Sequence, residues 1–220
     1  MTLLQAHAAL DPPLALLAWL LFLPALAASL LVLRRRFLPE GSQQHAWLAG
    51  VVGVALLWLL QVRTGDGLYL GMFGAALFAL VFGRARAIVG LTAALALYTG
   101  MTAGAWINFG INGLLLAVLP ALSAGALQRL IERRLPKNVF VFIIGNGMFV
   151  TLAATALTSL VMLLASLPAA PAAAGKLSEY ASYSLLLAWG EALVSGMIFS
   201  ALVIFWPAVV MTYREDSYLP

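Results

Sequence analysis

LALLAWLLFLPALAASLLVL, residues Leu14 to Leu33, is a run of 20 residues without a charge. At about 1.5 Å of rise per residue, a helix of that length spans about 30 Å, the thickness of a bilayer's hydrocarbon core. No Lys or Arg precedes Arg34, so the basic region of a cleaved signal peptide is missing and the run reads as a retained membrane helix. The remaining sequence follows the same pattern. Six further apolar stretches are expected as helices, at about Ala46–Val62, Gly67–Phe82, Ala87–Gly104, Phe109–Leu127, Val139–Leu167 and Tyr183–Val210.

Composition supports this reading independently. The 220 residues are 64% hydrophobic and 9% charged, with a mean hydropathy of +1.02. Soluble domains are about 45–50% apolar and about 25% charged. Twelve Lys and Arg with eight Asp and Glu cannot cover the surface of a water-soluble fold of this size, so lipid must solvate most of it. The absence of cysteine excludes disulfides, thiolate metal sites and cysteine nucleophiles. A net charge of +4 and a pI near 9.8 need no nucleic-acid partner, because basic residues in such a chain orient its loops.

The polar breaks between the stretches are RRRFLPEGSQQ, RTGD, GRAR, AWIN, QRLIERRLPKN and PAAPAAAGKLSEYAS. With seven spans and the N-terminus outside, the inside segments hold Arg34, Arg35, Arg36, Arg84, Arg86, Arg129, Arg133, Arg134, Lys137 and Arg214. Of the twelve cations only Arg63 and Lys176 fall outside. The expected architecture is therefore one all-α integral membrane domain over residues 1–220, with seven helices, the N-terminus outside and the C-terminus inside. AWIN carries no charge and reads as a tight turn or a re-entrant segment. Pro24, Pro120 and Pro207 lie within apolar runs, where proline kinks a helix. Gly67/Gly71, Gly100/Gly104, Ala121/Gly125 and Ala192/Gly196 have the spacing that lets helix backbones approach closely, within the bundle or against a partner subunit.

Few residues can carry chemistry. Glu191 lies well inside the last apolar run, where a carboxylate is costly and faces the bundle interior. Ser184, Ala188, Glu191 and Ser195 follow a helical i, i+4, i+7, i+11 spacing and form a narrow small-polar face. Glu191 is expected either to hydrogen-bond another helix in its protonated form or to line a substrate or ion path. Asn108 and Asn112 share a face at the start of the fifth stretch, and Asn146 lies in GNGM of the sixth. Such amides act as interhelical hydrogen-bonding groups or as substrate contacts. His45 sits at the membrane edge beside Gln43 and Gln44. His7 precedes Asp11, Pro12 and Pro13, and imidazole is the usual nitrogen ligand for nickel, cobalt, copper or zinc. The phosphate-binding GxxxxGK[ST], the zinc-protease HExxH and the nucleophile-elbow motif are all missing. The chain reads as a non-enzyme, and any active transport would draw its energy from another subunit.

Several segments resemble a known family. GMFGAALFALVFG (Gly71–Gly83), WINFGINGLLLAVLP (Trp106–Pro120), LAWGEALVSGMIFSALVIFWP (Leu187–Pro207) and DPPLALLAWLLFLPALAASLLVLRRR (Asp11–Arg36) are similar to stretches of the CbiM/NikM family. Its members are the membrane substrate-capture components of energy-coupling-factor cobalt and nickel transporters. The likeness extends over about residues 7–210 and looks like that of the proteobacterial branch, with Gln44-His45 before the second span and an aromatic tail at Tyr213–Leu219. It implies an outside N-terminus, about seven helices and a metal site built from an N-terminal Met-His segment and a histidine before GAAL. This chain begins Met1-Thr2 and has Gly71 at the second position. His7 stands in for the first histidine, shifted in register, and nothing replaces the second.

Two functional readings follow. In the first, the chain is a permease-like capture component in a bacterial inner membrane, with Ni2+, Co2+ or another small solute as its transported substrate. It would work with separate scaffold and ATPase subunits. Glu191, Asn108 and Asn112 would contact the substrate, His7 would ligate a metal, and Glu191→Gln is expected to abolish uptake without unfolding the protein. In the second, it is a metal-free accessory or scaffold subunit of another membrane complex.

Overall fold

The computed structural model describes residues 12–34, 41–63, 68–136, 138–166 and 175–213. Seven helical rods account for most of them: α1 (Pro12–Leu33), α2 (Gly41–Leu59), α3 (Ala75–Phe82), α4 (Arg84–Met101), α5 (Trp106–Arg134), α6 (Val139–Ala165) and α7 (Leu177–Phe205). Four of these, α1, α5, α6 and α7, are long and apolar enough to cross a membrane. The chain is an all-α bundle of membrane-protein character. Leu16, Leu17, Leu20, Leu21 and Leu31 on α1 are more than half exposed, an arrangement that water would penalise and lipid hydrocarbon accepts.

Six of the seven expected stretches correspond to rods, with ends that differ by several residues. The third departs more. Within 67–82 only Ala75–Phe82 is helical, a length of about 12 Å that cannot cross a bilayer alone. Before it, Tyr69–Leu70 pairs antiparallel with Val62–Arg63 in a two-residue ladder. Two glycines bracket the short helix. Gly74 at φ 66 sits in the left-handed region, where a residue with a Cβ loses about 1–2 kcal/mol, and Gly83 at φ 80 separates α3 from α4. Averaged hydropathy cannot distinguish such a ladder, loop and half-helix from one continuous span.

α3 is apolar on all sides and is the centre of the bundle. Ala75, Ala76, Phe78, Ala79, Leu80, Val81 and Phe82 are all buried. A helix so placed must have its terminal amides and carbonyls satisfied by protein. At its C-terminal end Met211 donates its backbone N–H to the Val81 carbonyl at 2.8 Å, and the Thr212 hydroxyl donates to the Leu80 carbonyl. Gln43 on α2 holds this returning segment by donating to the Ala208 carbonyl at 2.9 Å.

α1 lies against the first half of α5. Trp19 stacks on Phe109 with centroids 5.7 Å apart, and a Cβ at Gly113 would run into the Phe22 ring. α5 opens with a 3-10 turn, Trp106–Asn108, after a tight turn through Ala103 at φ 50, so the turn falls just before the uncharged AWIN break, whose last three residues belong to α5. α5 and α6 each contain a π-helical turn, Leu114–Val118 and Gly145–Val150. The first precedes Pro120, whose missing N–H leaves a carbonyl one turn back to be absorbed by the wider turn. Pro207 does not kink a helix, because α7 ends at Phe205. Of the small-residue pairs, Gly196 meets Gly147 and Met148 of α6 and Gly125 meets the Arg84 side chain, while Ala192 and Ala121 are buried. Gly100 has no neighbour within 4 Å, and Gly67 lies outside the described residues.

Candidate functional site

The head of α3 is where the only strongly buried acid among the described residues meets interrupted backbone. Glu191 is 1% exposed, on the α7 face that also buries Ser184, Ala188 and Ser195, as the helical spacing predicts. One carboxylate oxygen accepts the Phe73 N–H at 2.7 Å and the other accepts the Gly74 N–H at 2.9 Å. The Thr155 hydroxyl on α6 donates to the second oxygen at 3.3 Å. Trp58 on α2 fixes the same loop from its other side, donating its indole N–H to the Phe73 carbonyl at 2.9 Å. The carboxylate thus takes the place of an N-cap for a helix that starts inside the bundle. Three hydrogen-bonding groups, two backbone amides and one hydroxyl, converge on its two oxygens.

Gln61 lies over the neighbouring position. A Cβ added at Gly71 would come within 2.7 Å of the Gln61 Cγ, so Gln61 fills the space that a larger residue at 71 would need. Gln61 donates its side-chain amide to the Trp58 carbonyl at 2.6 Å, while its Oε1 is buried without a partner. An apolar groove of about 340 Å³ runs from Gly74 along α3 between α2 and α7, past Gly50, Leu77, Ile198 and Leu202. Its walls are almost wholly carbon, which suits hydrocarbon and not a polar solute.

Asn108 and Asn112 are both buried, at 1% and 7% exposure, on the α5 segment packed against α1 and α4. Asn112 leaves its Oδ1 unpaired. Neither asparagine is among the hydrogen-bond partners of Glu191. His7 lies outside the described residues, and among the described residues no three His, Asp or Glu side chains come together as a metal-binding group. Trp58, Gln61 and Thr155 were not among the expected site residues. Thr155 had a sequence signal, since Thr151, Thr155 and Thr158 repeat at helical spacing opposite the small-polar face of α7.

No curated protein matches this chain. Solved structures share its fold, two of them transition metal transporters. A crystal structure of a transition metal transporter is 16% identical, with a TM-score of 0.72 over 95% of this chain and 93% of the other. A truncated transition metal transporter is 19% identical, with a TM-score of 0.68 over 93% and 99%. The family model for CbiM, the cobalt uptake substrate-specific transmembrane region, matches residues 6–209. That match covers more than half of the chain, and the chain belongs to the CbiM family of metal-transport membrane components, which are not enzymes.

Proposed function

We propose that the protein is the substrate-capture component of an energy-coupling-factor type transporter, taking a divalent cation of the cobalt/nickel class or another small solute. Separate scaffold and ATPase subunits would supply the energy, because the sequence has no nucleotide-binding motif of its own. The observation that carries this reading is the pairing of Glu191 with the interrupted backbone at Phe73 and Gly74. Non-helical backbone at membrane depth is tolerated where it is buried in protein or lines a cavity, and transporters build their sites there. A carboxylate offers about four lone-pair directions. Glu191 engages three donors, and the unpaired Oε1 of Gln61 lies by the same loop. The His7 imidazole would add the nitrogen ligand that nickel and cobalt favour. Asn108 and Asn112 would contact the solute from the α5 segment that packs against α1 and α4.

In this reading the chain crosses a bacterial inner membrane seven times, N-terminus outside, with the ten-to-two distribution of Lys and Arg fixing the orientation. α3 and the ladder before it together fill the third crossing. The test is metal content after purification from native membranes in mild detergent, measured by mass spectrometry beside His7→Ala. Near-stoichiometric nickel or cobalt, lost in the variant, supports capture by a site that includes His7. Background metal in both favours a metal-free accessory subunit. That second reading is supported by Gln61 covering Gly71 and by the commitment of both Glu191 oxygens to α3.

A further inference from the structure

A second polar feature lies apart from the head of α3. Along α6, Asn146, Thr151, Thr155 and Thr158 are each 0–1% exposed, and α6 packs along α7, which contributes Glu191 and Ser195. Thr155 is engaged with Glu191. Asn146, Thr151 and Thr158 are not engaged: both amide atoms of Asn146 and the hydroxyl oxygens of the two threonines have no hydrogen-bond partner. Asn146 alone leaves two donors and an acceptor unmet. In a dry interior, each such group costs about 1–3 kcal/mol.

The π-helical turn at Gly145–Val150 explains their alignment. In an uninterrupted α-helix, residues five apart lie on different faces, and Asn146 would align with Val150 rather than Thr151. A π turn inserts one residue, so Asn146 joins the face carrying Thr151, Thr155 and Thr158. The helix accepts an irregular turn, and that turn brings an unpaired amide into line with unpaired hydroxyls. Close packing on either side closes the seam: Gly147 meets Phe199 and Gly196, and Phe199 lies 5.5 Å from Phe142.

We propose that the α6–α7 seam binds ordered water at Asn146 and Thr151, forming a hydrated strip that runs from Glu191 toward the Phe205 end of α7. Buried waters occupy such places because each satisfies two to four otherwise unmet polar groups. The strip gives Glu191 a wet neighbour beyond the backbone amides and the Thr155 hydroxyl that it already meets. If Glu191 contacts the transported solute, as proposed above, the solute's exit side is lined by neutral hydrogen-bonding groups rather than a dry wall. The water site itself does not depend on that reading.

Radiolytic hydroxyl-radical footprinting of the wild-type protein in lipid nanodiscs tests this directly, because radicals formed from a bound water oxidise the side chains beside it. Phe199, beside Gly147, and Phe22, in the α1–α5 interface, are equally inaccessible to bulk solvent at 0% and 1% exposure. The expected result is oxidation of Phe199 several-fold faster than Phe22, falling to the Phe22 rate in Asn146→Leu and in Thr151→Val. Equal slow rates in the wild type would overturn the proposal without needing either variant to fold. Fast oxidation of Phe199 that persists in both variants would overturn the assignment to Asn146 and Thr151. Bound metal and uptake are measured separately, so failure here leaves the capture reading standing, and the reverse holds too.

Discussion

Replacing Glu191 by Gln should loosen the bundle at the head of α3 as well as affect uptake. The two carboxylate oxygens accept the Phe73 and Gly74 N–H groups at 2.7 and 2.9 Å. A glutamine amide keeps one acceptor and turns an NH2 toward the other backbone donor. One hydrogen bond, worth about 0.5–1.5 kcal/mol, is lost, and a buried N–H is left unsatisfied at about 1–3 kcal/mol. These terms overlap, so a net loss on the order of 2–4 kcal/mol is expected. For a chain of this size each kcal/mol moves the melting temperature by about 2–4 °C, which gives a drop of about 5–15 °C. The assay is thermal denaturation in mild detergent, read by intrinsic tryptophan fluorescence and by the monodisperse fraction on gel filtration. A melting temperature within about 2 °C of wild type would refute the claim that this carboxylate holds α3. It would restore the expectation, drawn from sequence alone, that the substitution spares the fold.

Thr155→Val, which removes the third donor with little change of shape, should cost about 0.5–1.5 kcal/mol and lower the melting temperature by a few degrees. Gly74→Ala should cost about 1–2 kcal/mol from the left-handed φ alone, with the new methyl also tight against Leu57 at 3.2 Å; an unchanged melting temperature would contradict the geometry at this residue. Gly113→Val should force α1 from α5 through the Phe22 ring, at about 1–3 kcal/mol, and should raise protease sensitivity in α1 first. Orientation is read from single cysteines in the cysteine-free chain. A membrane-impermeant maleimide should label Val62→Cys in intact spheroplasts and Arg133→Cys only after permeabilisation, and the opposite pattern would reverse the proposed topology.

What the sequence determined was set by solvent and helical period. A chain with 20-residue apolar runs and so few charges must place its backbone in helices and its side chains against lipid, wherever its neighbours lie. The same helical period put Glu191, Ser184 and Ser195 on one inward face of α7 and buried Asn108 with Asn112, without any knowledge of what they meet. Local windows could not reveal the half-helix at Ala75–Phe82, because its start depends on a carboxylate 117 positions away from Gly74 and its end on a segment returning from Met211 and Thr212. Nor could they reveal the π turn that moves Asn146 into line with Thr151, since one inserted residue changes the face without changing composition. Gln61 over Gly71 and Trp58 on the Phe73 carbonyl have the same origin. Polar groups excluded from water take their partners from whichever element folds against them, and only the packed bundle decides which element that is.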